Sequence, residues 1–273
     1  MEEYILTVKI IAVDLDGTFL RDDKTFDEVR FNRQMGTMKN KGIHFVVASG
    51  NQVMKIKDIF KRISGDIGYV SDNGAVIYDG EDHIRSFNID PIVYEETISY
   101  IQKISPSYGI LASTDQSGYI DARESDKFVE MANLYYPNIV KVPNLSKIDK
   151  IISKVTINGP LDEYKKFAVE LKENVDDSLV AKVSGFGFID INVKEATKRN
   201  GLNALQEIWH IQDGEVLTVG DNDNDAEMLE YTPLSFAMAK ASETAAKMAD
   251  HRIGSNQDDS VLDLIDDVLA GKY

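Results

Sequence analysis

Two stretches of this chain, one toward each end, alternate short apolar runs with amphipathic segments. Val8 to Val13 (VKIIAV) is largely apolar and β-branched and stops at Asp14, which predicts a strand buried on both faces of a parallel sheet. After the turn residues Gly17, Asp22 and Asp23, the spacing predicts a helix capped by Thr25 that runs to about Lys41 and ends at Gly42. Ile43 to Ala48 (IHFVVA) reads as a second buried strand, followed by a helix over about 52–63 and a strand at Gly68 to Ser71. The rhythm returns at Glu215 to Val219, a buried strand ending on Gly220-Asp221, and at the short strand Leu234 to Ala237. In the tail, Val261, Leu262, Ile265, Val268 and Leu269 share one stripe, the spacing of an ordinary amphipathic closing helix. Strands alternating with helices call for a parallel sheet covered on both faces.

Between these stretches the order changes. A helix over 91–105 leads into two runs, Gly109 to Ser113 and Gly118 to Ala122, separated by Asp115 and Ser117, which predicts a hairpin. A helix near 125–135, a strand at Lys154 to Asn158, a helix near 161–173 and strands at 179–184 and 186–191 follow. Strand after strand implies an antiparallel sheet and so a separate α+β unit. The expected fold class is α/β: a Rossmann-like, doubly wound parallel sheet from residues 1–81 and 190–273, interrupted by an inserted α+β domain of residues 82–189.

Charge narrows the choice of partner. The 273 residues hold 30 Lys plus Arg against 46 Asp plus Glu, a formal charge of −16 at pH 7. A surface this anionic repels phosphate backbones and anionic lipid, so neither nucleic acid nor membrane is expected as a partner. No Cys is present, which removes disulfides, thiol nucleophiles and Cys-ligated zinc and suits a reducing cytoplasm. The start, MEEYILTVKI, lacks a basic leader, and no stretch approaches the ~18 apolar residues of a membrane span. A soluble, cytoplasmic protein is therefore expected. His44, His83, His210 and His251 are scattered without metal-ligand spacing, which leaves no basis for a His-ligated zinc site or a Ser-His triad.

Four clusters carry candidate chemistry. Asp14-Leu15-Asp16-Gly17-Thr18 sets two carboxylates, a turn-permitting Gly and a hydroxyl at the carboxyl end of a buried strand, the edge of a parallel sheet where ligands bind. Taken alone, an Asp-rich turn is as often plain solvated structure. Ser49-Gly50 follows the second strand and precedes a helix, so the hydroxyl and the free helix N–H groups can meet an anion; Ser is equally an ordinary cap. Lys198 lies in Ala196-Thr197-Lys198-Arg199-Asn200-Gly201, where a surface lysine is the usual reading. Gly220-Asp221-Asn222-Asp223-Asn224-Asp225 concentrates negative charge that calls for a cation. An EF-hand is ruled out, because no Gly stands at the sixth loop position and a strand precedes the loop. Mg²⁺, which takes a few carboxylates plus water and phosphate oxygens, is the expected counterion.

In this order and at these strand ends, DLDGT, the Ser of VVASGN, the Lys of TKRNG and GDNDND resemble the four motifs of the haloacid dehalogenase (HAD) superfamily of phosphatases. Asn73-Gly74-Ala75 after the third strand, with a large α/β cap inserted behind it, is similar to the Cof-like sugar-phosphatase subfamily. The resemblance implies that residues 82–189 form a cap that sets specificity. It implies Asp14 as nucleophile, attacking phosphorus to give an aspartyl-phosphate. It places the metal on the Asp14 and Asp221 carboxylates and the main-chain carbonyl of Asp16, with Asp225 orienting the metal shell from behind. Ser49, Gly50 and Lys198 would bind phosphate oxygens, and Asn224 would fix Lys198 or a substrate oxygen.

Asp16 would protonate the leaving alcohol and then activate water. Halide leaves without a proton, so a second Asp at this position argues for phosphoryl transfer over dehalogenation. Receiver domains also carry an acidic pocket and a Lys, but their phosphorylated Asp stands on a middle strand. Asn51 replaces the Arg that many relatives carry after Ser-Gly, a departure that bears on substrate contacts more than on chemistry. The implied activity is Mg²⁺-dependent hydrolysis of small phosphate monoesters, sugar phosphates or related phosphorylated metabolites, by a monomer or small homo-oligomer. Alternatives are a phosphomutase of the phosphomannomutase type and a non-catalytic phosphometabolite-binding protein.

Overall fold

A computed structural model describes residues 7–185 and 187–273. The first six residues, part of the stretch read as lacking a leader, and Phe186, where one expected strand begins, lie outside the described residues. The strands are β1 Ile10–Val13, β2 His44–Ala48, β3 Ile67–Ser71, β4 Val76–Asp79, β5 Asp82–Ser86, β6 Gly109–Ser113, β7 Gly118–Asp121 and β8 Ile139–Val142. There follow β9 Lys154–Asn158, β10 Leu179–Gly185, β11 Phe188–Val193, β12 Val216–Gly220, β13 Leu234–Ala237 and β14 His251–Arg252. The helices are α1 Glu28–Lys41, α2 Val53–Phe60, α3 Pro91–Ile104, α4 Asp126–Tyr135, α5 Tyr164–Asn174, α6 Lys198–Trp209, α7 Ala226–Glu230, α8 Glu243–Met248 and α9 Ser260–Leu269.

The chain divides into two compact units. The larger takes the described residues of Met1–Gly50 with Asp58–Arg85 and Thr197–Tyr273, and the smaller takes Asn51–Lys57 and Ser86–Ala196. In the larger unit one sheet runs β14-β13-β12-β1-β2-β3-β4-β5. Its strands β1, β2, β3, β12, β13 and β14 are parallel, and β4 turns back antiparallel on β3. The central strands β1, β3 and β12 are predominantly apolar and wholly buried, as expected of strands with both faces covered. Val13 stands opposite both Val47 and Val219, so the residues after β1, β2 and β12 leave the sheet along one edge.

The helix after β1 starts later than the sequence pattern suggests. Asp27 caps α1 by accepting from the Arg30 N–H at 2.9 Å. Thr25 spends its own N–H and hydroxyl on Asp23 Oδ1, at 3.0 and 2.6 Å, and so closes a separate turn instead. Gly42 ends the helix in the left-handed conformation at φ 67°. Phe19, Phe26, Phe31, Phe45 and Phe60 pack around the segment between β1 and α1, with centroids 4.8–6.1 Å apart.

In the smaller unit the sheet runs β10-β11-β9-β6-β7-β8, antiparallel except where β7 and β8 pair in parallel. Leu111 and Ile120 on one face pack with Phe128, Ala132 and Tyr136 from α4 and the residue after it. Asp90 caps α3, accepting from the N–H groups of Ile92 and Val93. Among the described residues no helix is long and apolar enough to cross a membrane.

Candidate active site

The acidic residues at the ends of β1 and β12 meet because two glycines leave room for them. Gly17 holds φ 87°, and a Cβ there would lie 2.6 Å from Asp221 Oδ2. A Cβ on Gly220 would lie 2.6 Å from Asp225 Cβ. With both positions bare, Asp14, Asp221 and Asp225 place carboxylate oxygens within 4.8 Å of one another. Thr18 completes this link, its hydroxyl donating to Asp221 Oδ1 at 2.9 Å.

Lys198 enters the cluster as the first residue of α6, directly after the cap Thr197. Its ammonium donates to Asp14 Oδ1 and to Asp225 Oδ1, both at 2.6 Å, and the residue is 1% exposed. A helix N-terminus repels positive charge, and burial removes water, so the ammonium depends on the two carboxylates for its stability there. The entry of α6 is in turn fixed by the turn Asp72–Gly74. Gly74 sits at φ 98°, and a Cβ on it would run into the carbonyl oxygen of Thr197.

Asn73 in the same turn adopts φ 60°, donates its N–H to the Ser49 carbonyl at 3.0 Å and accepts from Asn224 Nδ2 at 3.0 Å. A Cβ on Gly50 would stand 3.0 Å from Asn73 Oδ1. Ser49 is buried at the end of β2, its N–H donating to the Val70 carbonyl at 2.8 Å. Asn224 is thus joined to Asn73, while the contacts that hold Lys198 come from Asp14 and Asp225. The Asp16 carboxyl, two residues after Asp14, is exposed and accepts from Lys24 Nζ at 2.7 Å. Sequence reasoning left Thr18 and Asn73 out of the candidate site. A Thr in a turn and an Asn before Gly are common, and only the folded contact across 203 residues gives Thr18 a partner in Asp221.

The electrostatics are those of a crowded anionic cleft. Burial pushes the Asp14 carboxyl well above the usual carboxylate range; Lys198 opposes this, and the negative charges of Asp225 and Asp221 add to it. Asp221 is also raised, by burial first and by Asp225 next. Burial works against the Lys198 ammonium, but Asp14 and Asp225 outweigh it and hold its pKa above the ordinary lysine value. One lysine against three carboxylates leaves an excess of negative charge that a cation would relieve.

The donor set fits a hard metal ion, since all three groups offer oxygen and cluster closely enough to share one. Asp225 has its oxygens engaged, Oδ1 with Lys198 and Oδ2 with the N–H groups of Asp221 and Asn222 at 3.0 Å each. It therefore steadies the loop, and Asp14 and Asp221 are the carboxylates placed to touch a metal.

Residues 11–265 match the family model for haloacid dehalogenase-like hydrolases, and the chain belongs to that family. It is 36% identical over 265 residues to the 5-amino-6-(5-phospho-D-ribitylamino)uracil phosphatase YbjI of Escherichia coli, covering 97% of each chain. It is 22% identical over 261 residues to a Bacillus subtilis enzyme of the same name, YitU, covering 92% of this chain and 94% of that one. Among solved structures, SMU.1108c of Streptococcus mutans superposes with a TM-score of 0.87 at 30% identity, covering 96% of this chain and 99% of the other.

Proposed function

We propose that this protein is a Mg²⁺-dependent phosphatase of small phosphate monoesters that works through an aspartyl-phosphate on Asp14. The observation that carries the reading is the buried Asp14, hydrogen-bonded to Lys198 and clustered with Asp221 at one edge of a parallel sheet, with a second Asp two residues on. Mg²⁺, held by Asp14 and Asp221, would supply charge neutralisation so that a carboxylate can approach a phosphate dianion. Lys198 adds positive charge beside the nucleophile, and Ser49 and neighbouring N–H groups bind phosphate oxygens.

Proton traffic falls to Asp16. As the Asp14 oxygen bonds to phosphorus and the ester oxygen departs, the Asp16 carboxyl gives that oxygen its proton. The Asp16 carboxylate then takes a proton from water as the water oxygen attacks phosphorus and the bond to Asp14 breaks. Two relatives are named for a phosphate on a ribityl chain, an alkyl ester whose alkoxide leaves poorly without a proton. Sugar phosphates and phosphoribityl compounds are accordingly the first candidates.

The test is a phosphate-release screen over phosphorylated metabolites with Mg²⁺, with Asp14→Asn as control. Hydrolysis of alkyl phosphates that disappears in Asp14→Asn is expected. Isomerisation of a hexose phosphate without phosphate release would point to a mutase, and turnover surviving in Asp14→Asn would remove the nucleophile assignment.

A further inference from the structure

The turn after β1 is held from outside by the C-terminal segment. Phe19 and Phe26 root it in the aromatic cluster, 5.1 Å apart, while residues 21–25 stand at the surface. The Arg21 N–H donates to the Thr25 carbonyl at 3.0 Å and the Lys24 N–H to the Arg21 carbonyl at 2.9 Å, which closes a tight turn. Lys24 is left at φ 66°, a left-handed conformation that lysine rarely adopts. From this position its ammonium reaches Asp16 Oδ1 at 2.7 Å.

The other side of the turn is pinned by residues more than two hundred positions away. Buried Asn256 donates through Nδ2 to the Leu20 carbonyl at 2.9 Å and to Asp22 Oδ1 at 3.2 Å. The Arg21 guanidinium is paired with Asp259, which itself sits at φ 54° just before α9. Strained residues thus stand on both sides of the contact, and such strain persists only where surrounding contacts over-determine it.

We propose that Asn256, Asp259 and Lys24 act as a positioning clamp for Asp16. The C-terminal segment fixes the turn, and the turn holds the Lys24 ammonium on one oxygen of Asp16, restricting an otherwise exposed carboxyl to one orientation for proton transfer. None of the three is assigned contact with the reacting atoms; they act through Asp16, and the proposal rests on the acid–base reading of that residue given above. An exposed ion pair contributes little to stability, so the Lys24 contact can be removed without unfolding the chain.

The test is a stopped-flow assay of the full chain with Mg²⁺ and 4-nitrophenyl phosphate, comparing wild type, Asp16→Asn, Lys24→Met, Lys24→Arg and Asn256→Ala. Nitrophenolate leaves without a proton, so only the second half-reaction needs Asp16. Lys24→Met and Asn256→Ala should release about one nitrophenolate per enzyme in a burst as fast as the wild-type first turnover and then turn over about tenfold more slowly, with Lys24→Arg restoring the rate. Should Asn256→Ala fail to fold, the surface variant Lys24→Met decides. Steady-state rates equal to wild type, or a burst slowed in parallel with turnover, would overturn the clamp. Asp16→Asn giving a burst without turnover keeps the hydrolase reading intact whatever the clamp variants do. A wild type inactive on this ester would instead sink that reading.

Discussion

Asp225 has no oxygen to spare. Its two carboxylate oxygens, on a side chain that is itself wholly buried, answer the Lys198 ammonium and two backbone N–H groups. Truncating one member of such a network strands the others, so Asp225→Ala should cost about 3–5 kcal/mol and lower Tm by roughly 10 °C in thermal unfolding. A loss under 1 kcal/mol would mean that water replaces the carboxylate freely and that the loop is steadied by something else. His44 carries a different kind of prediction. Its ring stacks on Trp209 at 4.0 Å, and burial lowers its pKa, with Asp79 opposing the shift. In the unfolded chain the imidazole titrates near 6.5. Above that pH both states are neutral and the contribution of His44 is fully present. As pH falls through 6.5 toward the lower folded value, the unfolded chain gains a proton that the folded chain declines, and stability drops. Denaturant midpoints measured from pH 7.5 to pH 5 should fall more steeply in wild type than in His44→Gln; parallel curves would remove His44 from the account.

At the scale of elements, the turn Asp72–Gly74 governs how α6 enters the site. Gly74→Ala would force a left-handed φ on Ala and drive its methyl into the Thr197 carbonyl, so the first turn of α6 must shift and carry Lys198 with it. A loss of roughly 2–4 kcal/mol is expected, and kcat should fall further than the remaining folded fraction explains. Full activity in the folded fraction would show that Lys198 tolerates the shift. The strands that feed this site were legible because β1, β2 and β12 are predominantly apolar runs that stop on Asp, Ser-Gly and Gly-Asp. Others were not. β5 reads DHIRS and is largely exposed, and β14 is two exposed residues, so neither offers a hydrophobic period to detect, while β8, IVKV, is only four residues long and too short for its period to stand out. The cap of α1 was misplaced because Thr25 and Asp27 are both good N-caps, and only the folded turn shows Thr25 committed to Asp23. In the site, the acids were visible as clusters, whereas Lys198, by its local sequence an ordinary surface lysine, entered the candidate site only through the resemblance of TKRNG, and its contact with Asp14 across 184 residues is visible only in the fold.

For the whole molecule, the formal charge of −16 sets a problem that the site must solve. A phosphate dianion approaching this surface is repelled at long range, and at the cleft it meets three carboxylates with one ammonium among them. Lys198 is already neutralised by its two partners, so the sign of the local field can turn only when a divalent cation joins Asp14 and Asp221. Calorimetric titration with inorganic phosphate should therefore show binding in Mg²⁺ and none in excess chelator; equal affinity in both would mean that Lys198 and N–H groups suffice. Salt separates the long-range from the local effect. Going from 10 to 150 mM NaCl at constant free Mg²⁺ shortens the Debye length from about 30 Å to about 8 Å, which screens the distant acids far more than the buried cluster. KM for a dianionic ester should then fall as salt rises, the opposite of the trend for a protein that steers anions with a basic surface. A KM that climbs with salt would show that the distant acids do not govern approach and that the local positive groups dominate from the first encounter.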